Sequence, residues 1–501
     1  MTDPHKGASI PVSEWDYCTI NELGEALQSR TISASELVAH TVARIEALDG
    51  RVNAVVVRDF DRAREAAAAA DAALSRGERR PLLGVPITVK ETFNVAGLPT
   101  TWGLPQFKDF VPKEDALIVS RLKTAGAVVV GKTNVPLALA DFQSYNDIYG
   151  TTNNPWNIGR SPGGSSGGCA AALAAGFGPL SFGSDMGSSL RVPAHFCGVY
   201  AHKPTIGLVP MRGHNAPSVP PLPGHGDLAV VGPMTRTAAD LARALDVVAD
   251  PDEEREGLGY RLALPPARHD KLKDFRVMVI DSHPLTPTGS AVRSAIGRLS
   301  QRLADAGVKV AHSSALLPNL ADSARLYMRL LTAAKSTSMP PDRYEEAQRA
   351  AAALAPGDDG LEAERTRGTV MSHRDWLETD LARARIQQQW SLFFREFDVV
   401  LYPPASVPAF PHDHSLPIEA RHLEIDGKEY PYYDACFAWA DPAGTCGLPA
   451  TAAPIDRAPS GLPIGVQLIG PISRIARRLL LLNFLKGSST ASHHLRAMPG
   501  N

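Results

Sequence analysis

After Ser33, hydrophobic positions recur at steps of three and four: Leu37, Val38, Thr41, Val42, Ile45 and Leu48. That spacing is one face of an amphipathic helix. Ser33-Ala34-Ser35-Glu36 supplies a capping box at its start, and Asp49-Gly50 is the expected stop. The pattern then changes period. Residues 52–57 read as a strand, 64–75 as an alanine-rich helix with a closely packed face, and 83–90 as an apolar strand. A helix over 115–125 begun by Asp115 follows, then a buried strand over 127–130, with Gly131-Lys132-Thr133-Asn134 turning out of it. Next come a small-residue helix over 170–175 and a short strand over 180–183. Strand and helix alternate throughout this half, which favours a largely parallel sheet with helices on both faces.

Residues 210–223 are rich in proline, glycine and histidine, and too many for a simple connector. Such loops are often lids or pocket walls. A helix over 237–248, a strand over 276–280 and a helix over 291–306 ended by Gly307 come next. Residues 321–389 are helical, charged and alanine-rich, with the look of an insertion. A buried strand over 398–402 is closed by Pro403-Pro404, and Asp426-Gly427 marks a two-residue hairpin turn within 424–429. Residues 462–470 read as a late strand pairing back onto the sheet, and 479–485 as a core-packed terminal helix. No repeat or low-complexity linker divides the chain, so one domain over 1–501 is expected, with its core at about 21–485.

Composition narrows the function classes. The 501 residues are 44% hydrophobic and 21% charged, the balance of a soluble globular enzyme. With 51 basic and 53 acidic residues the formal charge is -2, which offers no field for a nucleic acid or an anionic membrane. Five scattered cysteines argue against a disulfide framework and a paired-cysteine zinc site. Cys169 and Cys197 sit among small and apolar neighbours and are expected to be packed thiols. The polar start has no apolar run after it, and no segment reaches a membrane span, so a cytoplasmic protein is expected.

The chemistry concentrates in two serine-bearing glycine loops, Gly163-Gly164-Ser165-Ser166-Gly167-Gly168 and Ser184-Asp185-Met186-Gly187-Ser188-Ser189-Leu190-Arg191. Upstream, Pro86-Ile87-Thr88-Val89-Lys90-Glu91 is an apolar strand ending in lysine. A hydroxyl nucleophile needs a base and backbone amides aimed at a developing oxyanion, and glycine lets the main chain come that close. Each piece alone has a plainer reading: a Lys-Glu pair at a strand end is usually solvated, and glycine-serine loops bind phosphate or turn the chain. Gly163-Gly164-Ser165-Ser166-Gly167 also satisfies the nucleophile elbow of α/β-hydrolases, which would need a downstream histidine such as His312, His412 or His414. His412-Asp413-His414 offers two metal ligands, but no helix-borne His-Glu-x-x-His pattern accompanies it.

Taken together, these motifs resemble the amidase signature family over about 21–485. The densest match is 159–204, including Arg191-Val192-Pro193-Ala194, Phe196-Cys197-Gly198 and His202-Lys203-Pro204-Thr205; flanking matches lie at 86–91, 398–403 and 461–470. The resemblance implies the α/β amidase-signature fold, a large mixed, mostly parallel central sheet covered by helices on both faces. It implies Ser189 as nucleophile, Ser165 as bridging serine after a cis Gly164–Ser165 bond, and Lys90 as base, with the amides of Met186, Gly187, Ser188 and Ser189 as the oxyanion hole. Asp185 and Arg191 are expected to fix the nucleophile loop, with Gly164 and Ser166 supporting the bridging serine. No cofactor and no metal are implied. Lysine accepts a proton only if burial disfavours its ammonium form, and Ser165 then carries the proton from Ser189.

The resemblance points to a broad C–N hydrolase for neutral, partly aromatic amides, with carbamates (urethanes) and esters as further substrates. The expected partners are that small molecule and water, without nucleic acid or membrane, and a homodimer is left open. The alternatives are the amidase subunit of a tRNA-dependent amidotransferase and a Ser-His-Asp esterase. Two positions depart from the pattern. Ser188 stands where many relatives carry glycine; a left-handed backbone there would cost about 1–2 kcal/mol, and its hydroxyl is expected to narrow the pocket or hold a water. Ala201 stands where glycine is common before Lys203-Pro204-Thr205. Arg212, His214 and His225, the helical insertion and residues 432–439 are expected as pocket walls.

Overall fold

The computed structural model describes residues 13–473 except 218, 225, 256 and 267. The predicted terminal helix at 479–485 and the pocket-wall residue His225 therefore lie outside the described residues. The strands are β1 (Val55–Arg58), β2 (Pro86–Lys90), β3 (Val128–Thr133), β4 (Tyr145–Asn146), β5 (Gly150–Thr151), β6 (Leu180–Asp185), β7 (Tyr200–Lys203) and β8 (Val230–Thr235). After them come β9 (Arg276–Val279), β10 (Lys309–Ala311), β11 (Val399–Tyr402), β12 (His422–Ile425), β13 (Lys428–Pro431), β14 (Ala450–Arg457) and β15 (Pro463–Ile469).

Eleven of them form one sheet in the order β1-β3-β2-β6-β8-β7-β14-β15-β11-β9-β10. The sheet is large and mixed, as expected of the amidase-signature fold. Its parallel pairing is concentrated in two runs, β3-β2-β6 and β11-β9-β10, with antiparallel pairs between them and at β1. Every residue of β2, β3, β6 and β15 is buried. Sheets covered on both sides favour continuous apolar runs in place of alternation, which is how Val128, Val129 and Val130 of β3 read, whereas β6 is buried with Ser181, Ser184 and Asp185 in it. The late strand β15 does pair back onto the sheet, between β14 and β11. Asp426 and Gly427, both at positive φ (50° and 80°), turn the hairpin β12–β13. The region expected as a helical insertion holds the helices Leu320–Ser336, Pro341–Ala352, Leu361–Thr369 and His373–Glu396.

Three local expectations need correction. The first long helix, Ala34–Val52, has the Ser33–Glu36 capping box but runs past Asp49-Gly50 to a left-handed cap at Asn53. Asp49 does not stop it: its buried carboxylate accepts the Ala54 amide at 2.7 Å and shapes the chain leading into β1. Asp115 does not cap the next helix, Leu117–Thr124; its carboxylate binds the Ala96 amide and the Lys123 ammonium instead. Gly131, Lys132 and Thr133 do not turn out of β3 but continue it, because their polar atoms find partners inside the protein. Among the described residues no helix is long and apolar enough to cross a membrane, and no group of three or more His, Cys, Asp and Glu side chains is placed to hold a metal.

Candidate active site

The parallel pairing of β2 with β6, with Thr88 beside Ser181, brings the ends of the two strands together. Lys90 ends β2 and is fully buried. Its Nζ lies 2.7 Å from Ser165 Oγ and 2.9 Å from Ser184 Oγ. Burial pushes the ammonium down to about 7 against the opposing pull of Cys169, Asp185 and Glu91. The Gly164–Ser165 peptide is cis, as the resemblance implies. Only glycine fits at position 164: a Cβ would sit 2.3 Å from the Asp141 carbonyl oxygen. Ser166 ties the two loops together, its hydroxyl donating to the Ser184 carbonyl at 3.2 Å and its amide to the Ser189 carbonyl at 3.2 Å.

Asp185 and Arg191 form a fully buried pair, with Arg191 Nη2 and Nε at 3.0 and 3.1 Å from the two carboxylate oxygens. Burial works against the charge of Asp185, but the guanidinium and its other donors outweigh that and hold the carboxyl below its usual range. Arg191 also donates to the Ala440 carbonyl and Gln467 Oε1, which anchors the loop to β15. The same carboxylate accepts the amides of Ser188 and Leu190 at 3.0 Å. Of the four amides expected as the oxyanion hole, that of Ser188 donates to Asp185, while those of Met186, Gly187 and Ser189 have no partner among the described residues. Tyr327 fixes the loop from outside by donating to the Met186 carbonyl at 2.8 Å.

Ser188 has φ 73°, so the left-handed backbone expected at this non-glycine position is present. Its hydroxyl neither narrows the pocket nor faces it. The side chain is fully buried, with Oγ unpartnered among the described residues. At Gly187, by contrast, a Cβ would lie 2.7 Å from the Phe437 ring, so the bare backbone lets that ring pack on the loop.

Ser165, Ser184 and Ser189 all line one cavity of 580 Å³, together with Met186 and Gly187. Its remaining wall is mostly apolar, from Trp102, Phe142, Met211, Leu222, Leu331 and Phe437. Of the expected pocket walls, His214 is there: burial and the nearby charge of Lys90 push it down to about 3, and it contacts Thr92 Oγ1 at 3.0 Å as a neutral ring. Arg212 is not; it turns away to Asp252 and Glu254. The insertion contributes Leu331, Ala334, Lys335 and Ser338, and the 432–439 segment contributes Phe437. His312, His412 and His414, needed by the elbow reading, are not among the described lining residues; His414 stacks on Tyr145 at 3.8 Å.

Sequence reasoning assigns nothing to Ser184, the second hydroxyl on Lys90, although it opens the loop that holds Ser189. It also misses a buried pair at the cavity wall: Asp141 accepts from Arg421 at 2.7 Å and from Tyr432 Oη at 2.6 Å. No local signal joins residues so far apart in the chain. Glu91 departs from the solvated-pair reading. It is fully buried, it accepts the Thr101 and Trp102 amides, and burial raises its carboxyl despite nearby Lys132. Both Cys169 and Cys197 are buried free thiols, raised by that burial.

Comparison with known proteins places this arrangement in context. The family model described as Amidase matches residues 36–474. The chain is 33% identical over 479 residues to a glutamyl-tRNA(Gln) amidotransferase subunit from Roseiflexus sp. (strain RS-1), covering 90% of this chain and 92% of that one. It is 32% identical over 467 residues to indoleacetamide hydrolase of Bradyrhizobium diazoefficiens, covering 92% and 83%. Among solved structures, a bacterial aryl acylamidase of the amidase signature family superposes with a TM-score of 0.80 at 23% identity, covering 98% of this chain and 99% of that one. At that identity the likeness concerns the fold.

Proposed function

The chain belongs to the amidase family, and from that premise we propose that it hydrolyses the C–N bond of aryl and alkyl amides through a Ser189–Ser165–Lys90 relay, with carbamates and esters as further substrates. The observation that carries this reading is a fully buried lysine whose Nζ lies 2.7 Å from Ser165 Oγ, in the wall of the cavity that also holds Ser189.

Near neutral pH a large share of Lys90 is the free amine, because burial lowers it to about 7. Across the same 2.7 Å contact the ammonium donates to Ser165, and the amine accepts from it. Ser189 Oγ attacks the substrate carbonyl, its proton passes to Ser165, and the Ser165 proton passes to Lys90. The carbonyl π pair moves onto oxygen, where the free amides of Met186, Gly187 and Ser189 receive it; loss of one such donor costs about 10²–10³ in rate. When the tetrahedral intermediate collapses, the C–N bond breaks and the proton returns through Ser165 to the departing nitrogen. Water then attacks the acyl-enzyme by the same relay, releasing the carboxylic acid. Asp185 and Arg191 hold the nucleophile loop and stay out of the proton path.

The aromatic and aliphatic cavity wall supports amides with a ring or alkyl chain, in keeping with a relative named for indoleacetamide hydrolysis. Similarity to an amidotransferase component favours a second reading, a chain that works only together with partner chains. A panel of 4-nitroanilides, aryl carbamates, aliphatic amides and aminoacyl-tRNA, offered to the chain alone, separates the two. We expect anilide hydrolysis that Ser189→Ala abolishes. Activity that appears only with added partner chains would overturn the free-standing amidase.

A further inference from the structure

Three charged side chains are found among the described residues lining the cavity: Asp141, Asp185 and Lys335. Two are already satisfied. Arg191 and two amides take Asp185, and Arg421 with the Tyr432 hydroxyl takes Asp141. Lys335 is different. No carboxylate comes within ion-pair distance of its ammonium among the described residues, and Glu419 and Asp141 act on it only from farther off, against Arg365. It lies in the last turn of Leu320–Ser336, where a cation also suits the helix end. That role does not account for its sharing the cavity wall with Leu331, one helical turn before it, and with Ala334.

Lys335 is exposed, so its ammonium keeps contact with water while its neighbours in the cavity wall are mostly apolar, and it is open to an arriving anion. The hydroxyls of the relay come from the loop leading into the helix Gly167–Ala174 and from the loop after β6, whereas Lys335 comes from the helical insertion, so one substrate can engage both elements at different ends.

We propose that Lys335 is a specificity residue that receives a carboxylate on the part of the substrate remote from the scissile amide. The inference rests on the amidase reading and narrows it: the amide itself is uncharged, and the molecule carrying it is an anion. The substrate class is the half-amides of dicarboxylic acids, with the charge on the acyl side, or amides of amino acids such as aminobenzoates, with the charge on the leaving side.

The test compares kcat/KM for glutaryl 4-nitroanilide and its methyl ester, and for 4-acetamidobenzoate and its methyl ester, in the wild-type chain, Lys335→Glu and Lys335→Arg. One charged contact partly exposed to water is worth about tenfold or more in favour of one acid over its ester. Whichever pair shows the preference identifies the side that bears the charge. Lys335→Glu should reverse the preference, Lys335→Arg should keep it, and raised salt should weaken it. Esters turned over as well as the acids, or an acid preference untouched in Lys335→Glu, would overturn the proposal. Should the wild-type chain cleave no anilide, the amidase reading fails by itself. Calorimetric binding of glutaranilate to the wild-type chain and to Lys335→Glu then still decides the carboxylate site: equal affinity overturns it, and loss in the variant upholds it.

Discussion

Two lysines lie fully buried on neighbouring strands, and they differ in nearly everything but burial. Lys90 ends β2; Lys132 is in β3, paired in register with Val89. Successive side chains alternate across a sheet, so this one-residue offset sends the two ammonium groups to opposite faces. Lys90 meets two hydroxyls in the wall of the cavity. Lys132 meets the Pro99 carbonyl and Thr100 Oγ1, with Glu91 nearby. Burial pushes both down, Lys90 to about 7 and Lys132 to about 8. Burial alone therefore does not make a base. What sets Lys90 apart is where its hydroxyl partners stand: Ser165 and Ser184 line the cavity with Ser189, whereas Pro99 and Thr100, which hold Lys132, are not among its described lining residues.

The contrast predicts different failures. Lys90→Met should keep the fold and lower kcat/KM by about 10⁴ or more, as losses of relay members do in serine hydrolases; a variant within tenfold of wild type would erase the distinction. Ser165→Ala, which removes the bridge but leaves the base, should lower kcat/KM by about 10²–10⁴. Lys132→Met should act on stability instead. It leaves Glu91 buried without its nearby cation, at about 3 kcal/mol in urea unfolding, while the folded fraction stays active with a changed KM because Glu91 holds the Trp102 backbone at the cavity wall. Wild-type kcat/KM should rise with pH through about 7 as Lys90 becomes an amine. Stability has the same sign: both lysines have lowered values in the folded chain, so the unfolded chain binds more protons from about 7 up to the ordinary lysine value, and stability attributable to them rises across that window. The smallest effect is expected at Ser188→Gly, which relieves a left-handed backbone and removes an unpartnered hydroxyl, for a gain of about 1 kcal/mol.

The same two lysines show how far the sequence can be read. Lys90, Ser165 and Ser189 stand out because glycine-serine loops flank an apolar helix, Gly167–Ala174, and the motif order matches a known pattern. Lys132 reads as part of a turn, since Gly-Lys-Thr-Asn after an apolar run is polar by composition. Only tertiary contacts let those polar atoms stay inside a strand. The Asp185 carboxylate claims the Ser188 amide through a loop geometry that a motif does not encode. Arg212 looks like a pocket wall by loop position, yet Asp252 draws it away. Strand order is legible only in part: alternation of elements foretells the parallel runs, and the short turn between β14 and β15 gives one antiparallel pair, while β7, β8 and β11 reach the antiparallel centre through long connections with no local signature.

The central claim is that Ser189, and not Ser165, carries the acyl group. Treating the chain with an aryl fluorophosphonate and locating the added mass by peptide mass spectrometry tests this most directly. The relay predicts a single adduct on Ser189 whose rate of formation collapses in Lys90→Met; an adduct on Ser165, or labelling of Ser189 that ignores the loss of Lys90, would contradict it.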